Sequence, residues 1–204
     1  MLSDREDKPP ATSKRTIMTQ FNSPHLDTAL TTLGGILQDR YAHFEIVVIG
    51  GGGLLLLGMI TRPTKDVDVV ALIDKGNFVS AKHLPKLLLE AIAEVGIALR
   101  LGNNWINAGP ADLFTMGLPE GFASRMSTRY YGGLTLHLAG RFDQICFKLY
   151  ATVDQGPTSK HFTDLKLLKP TPTELKKAAN WCKSHDVSDD FASNLSEALD
   201  ILKN

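Results

Sequence analysis

The chain has 204 residues, of which 43% are hydrophobic and 22% are charged, the proportions of an ordinary folded domain. Basic and acidic residues each number 22, so the net charge is about zero and no overall basic field attracts nucleic acid. The longest apolar run, 50–60, is too short and too rich in glycine to span a membrane. Cys146 and Cys182 lack zinc-binding spacing, and without a signal peptide they predict reduced thiols in a cytoplasmic protein.

The first predicted helix follows a polar N-terminal segment. Residues 1–20 are mixed in charge and contain two adjacent prolines, a composition that predicts a disordered tail. Ser23 and Pro24 then indicate an N-cap followed by proline at the first helical position. Leucines recur at helical spacing on one face, so we expect this helix to pack on a sheet. They are Leu26, Leu30, Leu33 and Leu37.

The segment 47–70 is predicted to form a strand, a glycine turn, a short helix and a second strand. The β-branched residues 47–49 are typical of a buried strand. Four glycines, 50–53, follow, and glycine lets a ligand approach the backbone closely. The apolar run 54–59 predicts a buried helix whose N-terminal N–H groups and positive dipole end could hold a phosphate.

The second strand of this segment, predicted at 66–70, carries two aspartates. Side chains alternate along a strand, so Asp66 and Asp68 lie on one face. Two neighbouring carboxylates repel each other unless a cation lies between them, and Mg²⁺ prefers oxygen ligands from carboxylates and substrate phosphates. The segment therefore predicts a phosphate-binding turn next to a metal site.

These residues carry a resemblance to a known family. Gly50-Gly51 followed by Asp66-Val67-Asp68 resembles the signature of the DNA polymerase β-like nucleotidyltransferases. With Arg62, Thr64 and Lys65 ahead of the aspartates, the pattern is similar to the branch that includes AbiEii-type toxins and related bacterial nucleotidyltransferase-like proteins. The resemblance implies an α/β (α+β) fold with a mixed sheet flanked by helices and a small C-terminal helical appendage.

The middle of the chain is predicted to alternate helices with short strands. A turn is expected at 73–76, a helix at about 80–98 whose regular part begins near Pro85, and a short strand at 105–107. Short helices or loops are expected at 111–116 and 122–125. Arg125 and Arg129 are either triphosphate contacts or ordinary surface cations. A turn at Gly132-Gly133 precedes an alternating strand at 134–138.

The stretch 142–168 resembles the second half of the same family pattern. In the family a lysine lies in a K-L-x-A helix and an aspartate in a following D-L helix, which Lys148 and Asp164 match here. The family often has an Arg-Asp pair before this aspartate, whereas this chain has Lys-His-Phe-Thr at 160–163. A third carboxylate often lies on a later strand. Here that strand offers His137, so the third metal ligand is left open.

The last segment, 169–204, predicts two helices. Thr171 and Glu174 form a capping box, with proline at the first helical position, for a helix through about residue 184. Ser188 or Asp189 caps the final helix, whose apolar face repeats from Phe191 onward. We therefore divide the chain into a tail, 1–20, a nucleotidyltransferase-like domain, 21–168, and this helical segment.

The resemblance implies a role for each matching residue. Asp66 and Asp68 would bind Mg²⁺ or Mn²⁺, Lys148 would stabilise phosphate charge, and Asp164 would orient Lys148 or serve as a base. Four further residues would lie at the nucleotide. They are Gly50, Gly51, Arg62 and Thr64.

The implied reaction transfers a nucleoside monophosphate from an NTP to an acceptor that is RNA, protein or a small molecule. Toxins of this branch suggest a tRNA or protein acceptor and an antitoxin partner, although the neutral net charge gives RNA no support. An alternative on the same fold is a non-catalytic protein that binds a nucleotide or a partner, because an evident third carboxylate is missing.

Two other interpretations compete for the same residues. A Rossmann turn would use Gly50 and Gly52 with Asp68 as the ribose-binding acid, but Leu55 stands where that motif needs its third glycine. A purely structural interpretation makes 47–70 a buried apolar hairpin with solvated aspartates. In this structural interpretation, the aliphatic part of the Lys148 side chain packs against apolar residues while its ammonium group reaches water.

Overall fold

A computed structural model describes residues 20–203 of the protein. It contains a six-stranded mixed sheet flanked by helices, which confirms the predicted α/β fold class. The predicted tail, 1–20, lies outside the described residues except for Gln20. Among residues 20–203, no helix combines the length and the apolar character needed to cross a membrane.

Helices and strands alternate over most of the described chain. The strands are β1 Phe44–Ile49, β2 Val67–Asp74, β3 Asn77–Ser80, β4 Ile106–Asn107, β5 Ser127–Tyr131 and β6 Leu134–Leu138. The first helices are α1 Ser23–Asp39, α2 Gly50–Leu56, α3 Lys86–Ala98, α4 Ala111–Met116 and α5 Phe122–Arg125. The later helices are α6 Arg141–Gln155, α7 Lys160–Leu167, α8 Pro172–Lys183 and α9 Asp189–Lys203.

Strand β1 lies at the centre of the sheet. The strand order is β3-β2-β1-β6-β5, and β4 pairs with β2 outside this path. Strand β1 runs parallel to β6 and antiparallel to β2, with Ile49 opposite Asp68. The antiparallel pairing of β1 with β2 excludes the Rossmann interpretation, since a dinucleotide-binding unit needs parallel strands on either side of its helix.

Several predicted boundaries were wrong for local reasons. Helix α2 begins at Gly50 rather than at residue 54, and among the four glycines only Gly50 has a positive φ, +73°. The N-cap of α1 is Asn22 rather than Ser23, and its side-chain oxygen accepts a hydrogen bond from the His25 N–H at 3.0 Å. Strand β2 begins at Val67, so Asp66 immediately precedes it.

Two hairpins were not predicted as such. Lys75 and Gly76 both have positive φ, +49° and +79°, and form a two-residue turn that extends β2 into β3. Helix α3 begins at Lys86 with Pro85 as its N-cap, which confirms the predicted start of its regular part, whereas residues 80–85 are not helical. Strand β5 is a polar edge strand that lacks the alternating apolar pattern, and it pairs with β6 across the predicted turn at 132–133.

Apolar side chains form cores on both faces of the sheet. The larger core buries the predicted leucine face of α1 completely, together with residues of β1, α3 and α6. The smaller core contains Val47, Ile49, Phe122 and Phe147. Helices α8 and α9 pack on α6 and contribute to the larger core, which also contains both cysteines as free thiols. The separation of 169–204 as its own segment stays a prediction.

Adjacent glycines in α1 give a matched test of this packing. A Cβ on Gly34 would lie 1.6 Å from the Tyr131 carbonyl oxygen, whereas a Cβ on Gly35 would meet nothing within 4 Å. We expect Gly34→Ala to lower the free energy of unfolding by about 1–3 kcal/mol or more, because α1 must move away from β5. Gly35→Ala should raise it by up to about 1 kcal/mol through helix propensity. Urea unfolding of both variants measures the difference, and equal effects would contradict the packing described.

Candidate active site

A cleft of about 310 Å³ lies at the carboxyl end of β1. Its walls come from four parts of the chain: the junction of β1 with α2, the start of β2, the segment around α4, and helices α6 and α7. The residues lining it are Ile49, Gly50, Asp66, Asp68, Gly109, Pro110, Leu113, Phe147, Lys148, Ala151, Lys160 and His161. Three of the four predicted metal-binding and catalytic residues, Asp66, Asp68 and Lys148, therefore share one cavity.

The two aspartates form a half-buried acidic pair on one wall of the cleft. Asp68 is the second residue of β2, and its Oδ1 accepts one long hydrogen bond, 3.4 Å, from the Asn107 side-chain amide. Burial, followed by the negative charge of Asp66, raises the pKa of Asp68 above its usual value. A divalent cation bound between the pair would offset both effects.

The fit to a metal ion depends on ligands from outside the chain. Within residues 20–203, no group of three or more His, Cys, Asp or Glu side chains is arranged to hold a metal. Two carboxylate oxygens suit Mg²⁺ when substrate phosphates complete its coordination, as is usual for this ion. Asp66 and Asp68 therefore fit a cation that is delivered with a phosphate ligand.

The glycines of α2 let this helix pack directly on the aspartate segment. A Cβ on Gly50, which has φ +73°, would lie 2.4 Å from Asp68 Oδ2, and a Cβ on Gly52 would lie 2.9 Å from the Asp66 carbonyl oxygen. The Gly50 N–H donates to Gln144 Oε1 at 3.0 Å. The first N–H of the helix is therefore bonded to a side chain of α6 and is not free for a phosphate.

Asp164 connects three segments through a buried ion-pair network. Its carboxylate is 0% exposed and lies 2.8 Å from Lys148 Nζ, which is 4% exposed. Arg62 binds the same carboxylate with two N–H groups, the Nε hydrogen bond measuring 2.7 Å. Burial alone would raise the pKa of Asp164, but hydrogen bonds and positive charge from Arg62 and Lys148 outweigh it and hold that pKa below its usual value.

Lys148 does not reach water with its charged end, so the interpretation of a lysine with a solvated head is wrong. Its ammonium group is buried on Asp164, and burial lowers its pKa although Asp164 acts in the opposite direction. Lys148 follows Gln144 by one helical turn of α6. One face of α6 therefore contacts both the N-terminus of α2, through Gln144, and Asp164, through Lys148.

The other predicted nucleotide-binding residues lie behind the wall of the cleft. Thr64 is buried, and its hydroxyl donates to the Asp66 carbonyl oxygen at 3.3 Å. A Cβ on Gly51 would lie 2.8 Å from that hydroxyl oxygen. Gly51, Arg62 and Thr64 do not line the cavity. Their contacts hold the segment that carries Asp66 and Asp68, and direct nucleotide contact by these three stays a prediction.

Three candidates considered from the sequence, and also Asp112 of α4, have partners elsewhere. His137 is hydrogen-bonded to Glu45 across the sheet at 2.7 Å, so it does not supply the missing metal ligand. Arg125 binds the buried carboxylate of Asp143 with two N–H groups. The remaining two are surface or helix-end contacts: Asp112 pairs with Lys82, and Arg129 donates to the carbonyl oxygen of Leu56.

Sequence reasoning missed or undervalued four residues around the cleft. Gln144 could have been found from its position one turn before Lys148, whereas the contact of Asn107 with Asp68 depends on the pairing of β4 with β2. Lys160 and His161 were noted only as departures from the family pattern. Burial, followed by the charges of Lys148 and Lys160, lowers the pKa of His161 to about 4, so its imidazole is neutral at pH 7.

Comparisons with protein-family models, with curated proteins and with solved structures found no match to this chain. The resemblance to nucleotidyltransferases therefore depends on the residues and spacings of the sequence itself.

The buried network predicts a large loss of stability for Asp164→Asn. This change leaves two cations facing a neutral amide, one of them fully enclosed, and breaking a buried pair in this way costs about 3–5 kcal/mol of the free energy of unfolding. Asp112→Asn is the control, because Asp112 forms an ion pair with its side chain 72% exposed. That control should cost at most about 1 kcal/mol. Similar losses in urea unfolding would contradict the network's role.

A comparison of wild type with Asp164→Asn also predicts a pH dependence of stability. Because the pKa of Asp164 is lowered in the folded protein, its stabilising contribution is present above the usual aspartate pKa and is lost as the pH falls through the lowered value. The stability difference between wild type and Asp164→Asn should therefore shrink on acidification below about pH 4. A difference that stays constant down to the acid unfolding transition would contradict this assignment.

Proposed function

We propose that the protein is a metal-dependent nucleotidyltransferase that transfers a nucleoside monophosphate from an NTP to an acceptor. The observation that carries the proposal is the acidic pair Asp66 and Asp68 in a cleft that Lys148 and Lys160 also line. A cavity lined by both carboxylates and lysines suits a metal–triphosphate complex, since each half of that complex can meet the opposite charge.

The residues of the cleft have distinct parts in the proposed reaction. Asp66 and Asp68 would hold Mg²⁺ or Mn²⁺ together with oxygens of the triphosphate, which explains why two half-buried carboxylates stand side by side. The ion, when bound, supplies Lewis-acid stabilisation of charge at the phosphate that is attacked. Gly50 brings backbone within contact of Asp68 and so fixes one side of the site.

Asp164 suits an orienting role better than the role of a base. Its carboxylate is completely buried and already accepts hydrogen bonds from Arg62 and Lys148, which leaves it bound to cations rather than directed at an acceptor. Its lowered pKa also makes it a weak proton acceptor near neutral pH. We therefore favour the second of its two predicted roles, in which it holds Lys148 in place.

A second candidate function is binding of a nucleotide or a partner without catalysis. It is favoured by one observation, the absence of a third metal-binding side chain near Asp66 and Asp68 within the described part of the chain. The toxin hypothesis, with a tRNA or protein acceptor and an antitoxin partner, rests on the family resemblance and is tested through the acceptor that becomes labelled.

Incubation with each α-³²P-labelled NTP, Mg²⁺ or Mn²⁺, and total cellular RNA, protein or small molecules tests the proposal directly. Wild type should transfer label, whereas Asp66→Asn and Asp68→Asn should each lose roughly 100-fold or more of the rate, because each removes charge that holds the metal. The labelled fraction identifies both the nucleotide and the acceptor class.

Asp74→Asn is the matched control, since Asp74 ends the same strand, β2, and is exposed away from the cleft. It should retain wild-type activity. Transfer that persists in Asp66→Asn would refute the proposal. No transfer with any NTP, together with measurable NTP binding that does not depend on Mg²⁺, would favour the non-catalytic function.

A further inference from the structure

The groups expected to bind phosphate are already engaged within the protein. The Gly50 N–H is bonded to the buried side chain of Gln144, and the ammonium of Lys148 is bonded to Asp164. Arg62 is bonded to the same carboxylate and does not line the cavity. A triphosphate that used Lys148 or Arg62 would first have to break buried charge-assisted hydrogen bonds, which are among the strongest in proteins. One that used the Gly50 N–H would have to displace Gln144.

Lys160 is the cation of the cleft that has no such partner. It lines the cavity at the start of α7 and is exposed, and it forms no ion pair with any residue in the range 20–203. It lines the same cavity as Asp66 and Asp68, and its positive charge acts against the rise in the pKa of Asp68 that burial causes.

We propose that Lys160 is the principal triphosphate-binding cation of this cleft, and that Lys148 instead maintains the buried network beneath it. This inference rests on the proposed function, because it concerns the polyphosphate part of the same substrate. Lysine binds phosphate as a flexible point charge, so an unpaired lysine at the mouth can meet the polyphosphate without breaking an existing ion pair.

The cleft also offers separate binding groups for the metal ion and for the polyphosphate. The acidic pair belongs to β2 and the segment before it, whereas Lys160 belongs to α7, and all three residues line the cavity. A divalent cation would bind at the aspartates while the polyphosphate extends toward Lys160. Electrostatic attraction at an exposed lysine is screened by salt, so the contribution of Lys160 should be largest at low ionic strength.

Isothermal titration with Mg²⁺ and inorganic tripolyphosphate tests the inference without requiring the correct base, and each NTP is then titrated in the same way. At low salt, Lys160→Gln should weaken tripolyphosphate and NTP binding about tenfold, the value of one charge-assisted hydrogen bond. Lys160→Arg should keep most of the affinity. Lys166→Gln is the matched control, because Lys166 lies on the same helix over the Phe162 ring and outside the cleft.

The outcomes separate this inference from the proposed function. Loss of affinity in Lys160→Gln but not in Lys166→Gln, with unchanged thermal unfolding, supports it. Unchanged affinity in Lys160→Gln overturns it while leaving nucleotidyl transfer by wild type intact. Failure of wild type to bind tripolyphosphate or any NTP overturns it as well, and in that case the labelling assay should also show no transfer.

Discussion

The buried carboxylate of Asp164 is the contact on which the candidate site depends. It joins Arg62 from the segment before β2, Lys148 from α6 and its own helix α7, which are far apart in sequence. A buried carboxylate needs such partners, because an unpaired charge in the interior costs several kcal/mol. The same network therefore holds the segment before β2, α6 and α7 in one arrangement. The cleft lies between these elements.

Close packing of α2 is the second constraint on the site. The glycines allow the helix backbone to approach Asp68 and the Asp66 carbonyl, where any Cβ would overlap existing atoms. Gln144 then takes the first N–H of this helix. Glycines that suggest a phosphate-binding turn in the sequence thus have a packing function in the fold, and they position the carboxylates rather than presenting a free N–H group at Gly50.

Predictions from the sequence succeeded where the signal was local or periodic. The leucine face of α1, the capping box of α8 and the alternating strand β6 all follow from neighbouring residues, and all are present. The grouping of Asp66, Asp68 and Lys148 in one cleft was expected only through the family resemblance. Strand β5 and the partners of His137 were missed because they depend on pairing between strands.

The sequence by itself determined the positions of most helices and strands, because burial patterns and caps depend on local spacing, and the fold class followed from the family resemblance. Only the tertiary structure decided which charges are free. Lys148 and Lys160 both line the cleft, yet one is enclosed on Asp164 and the other is exposed. That difference arises because a buried charge must find a partner, and the partner here lies on another helix.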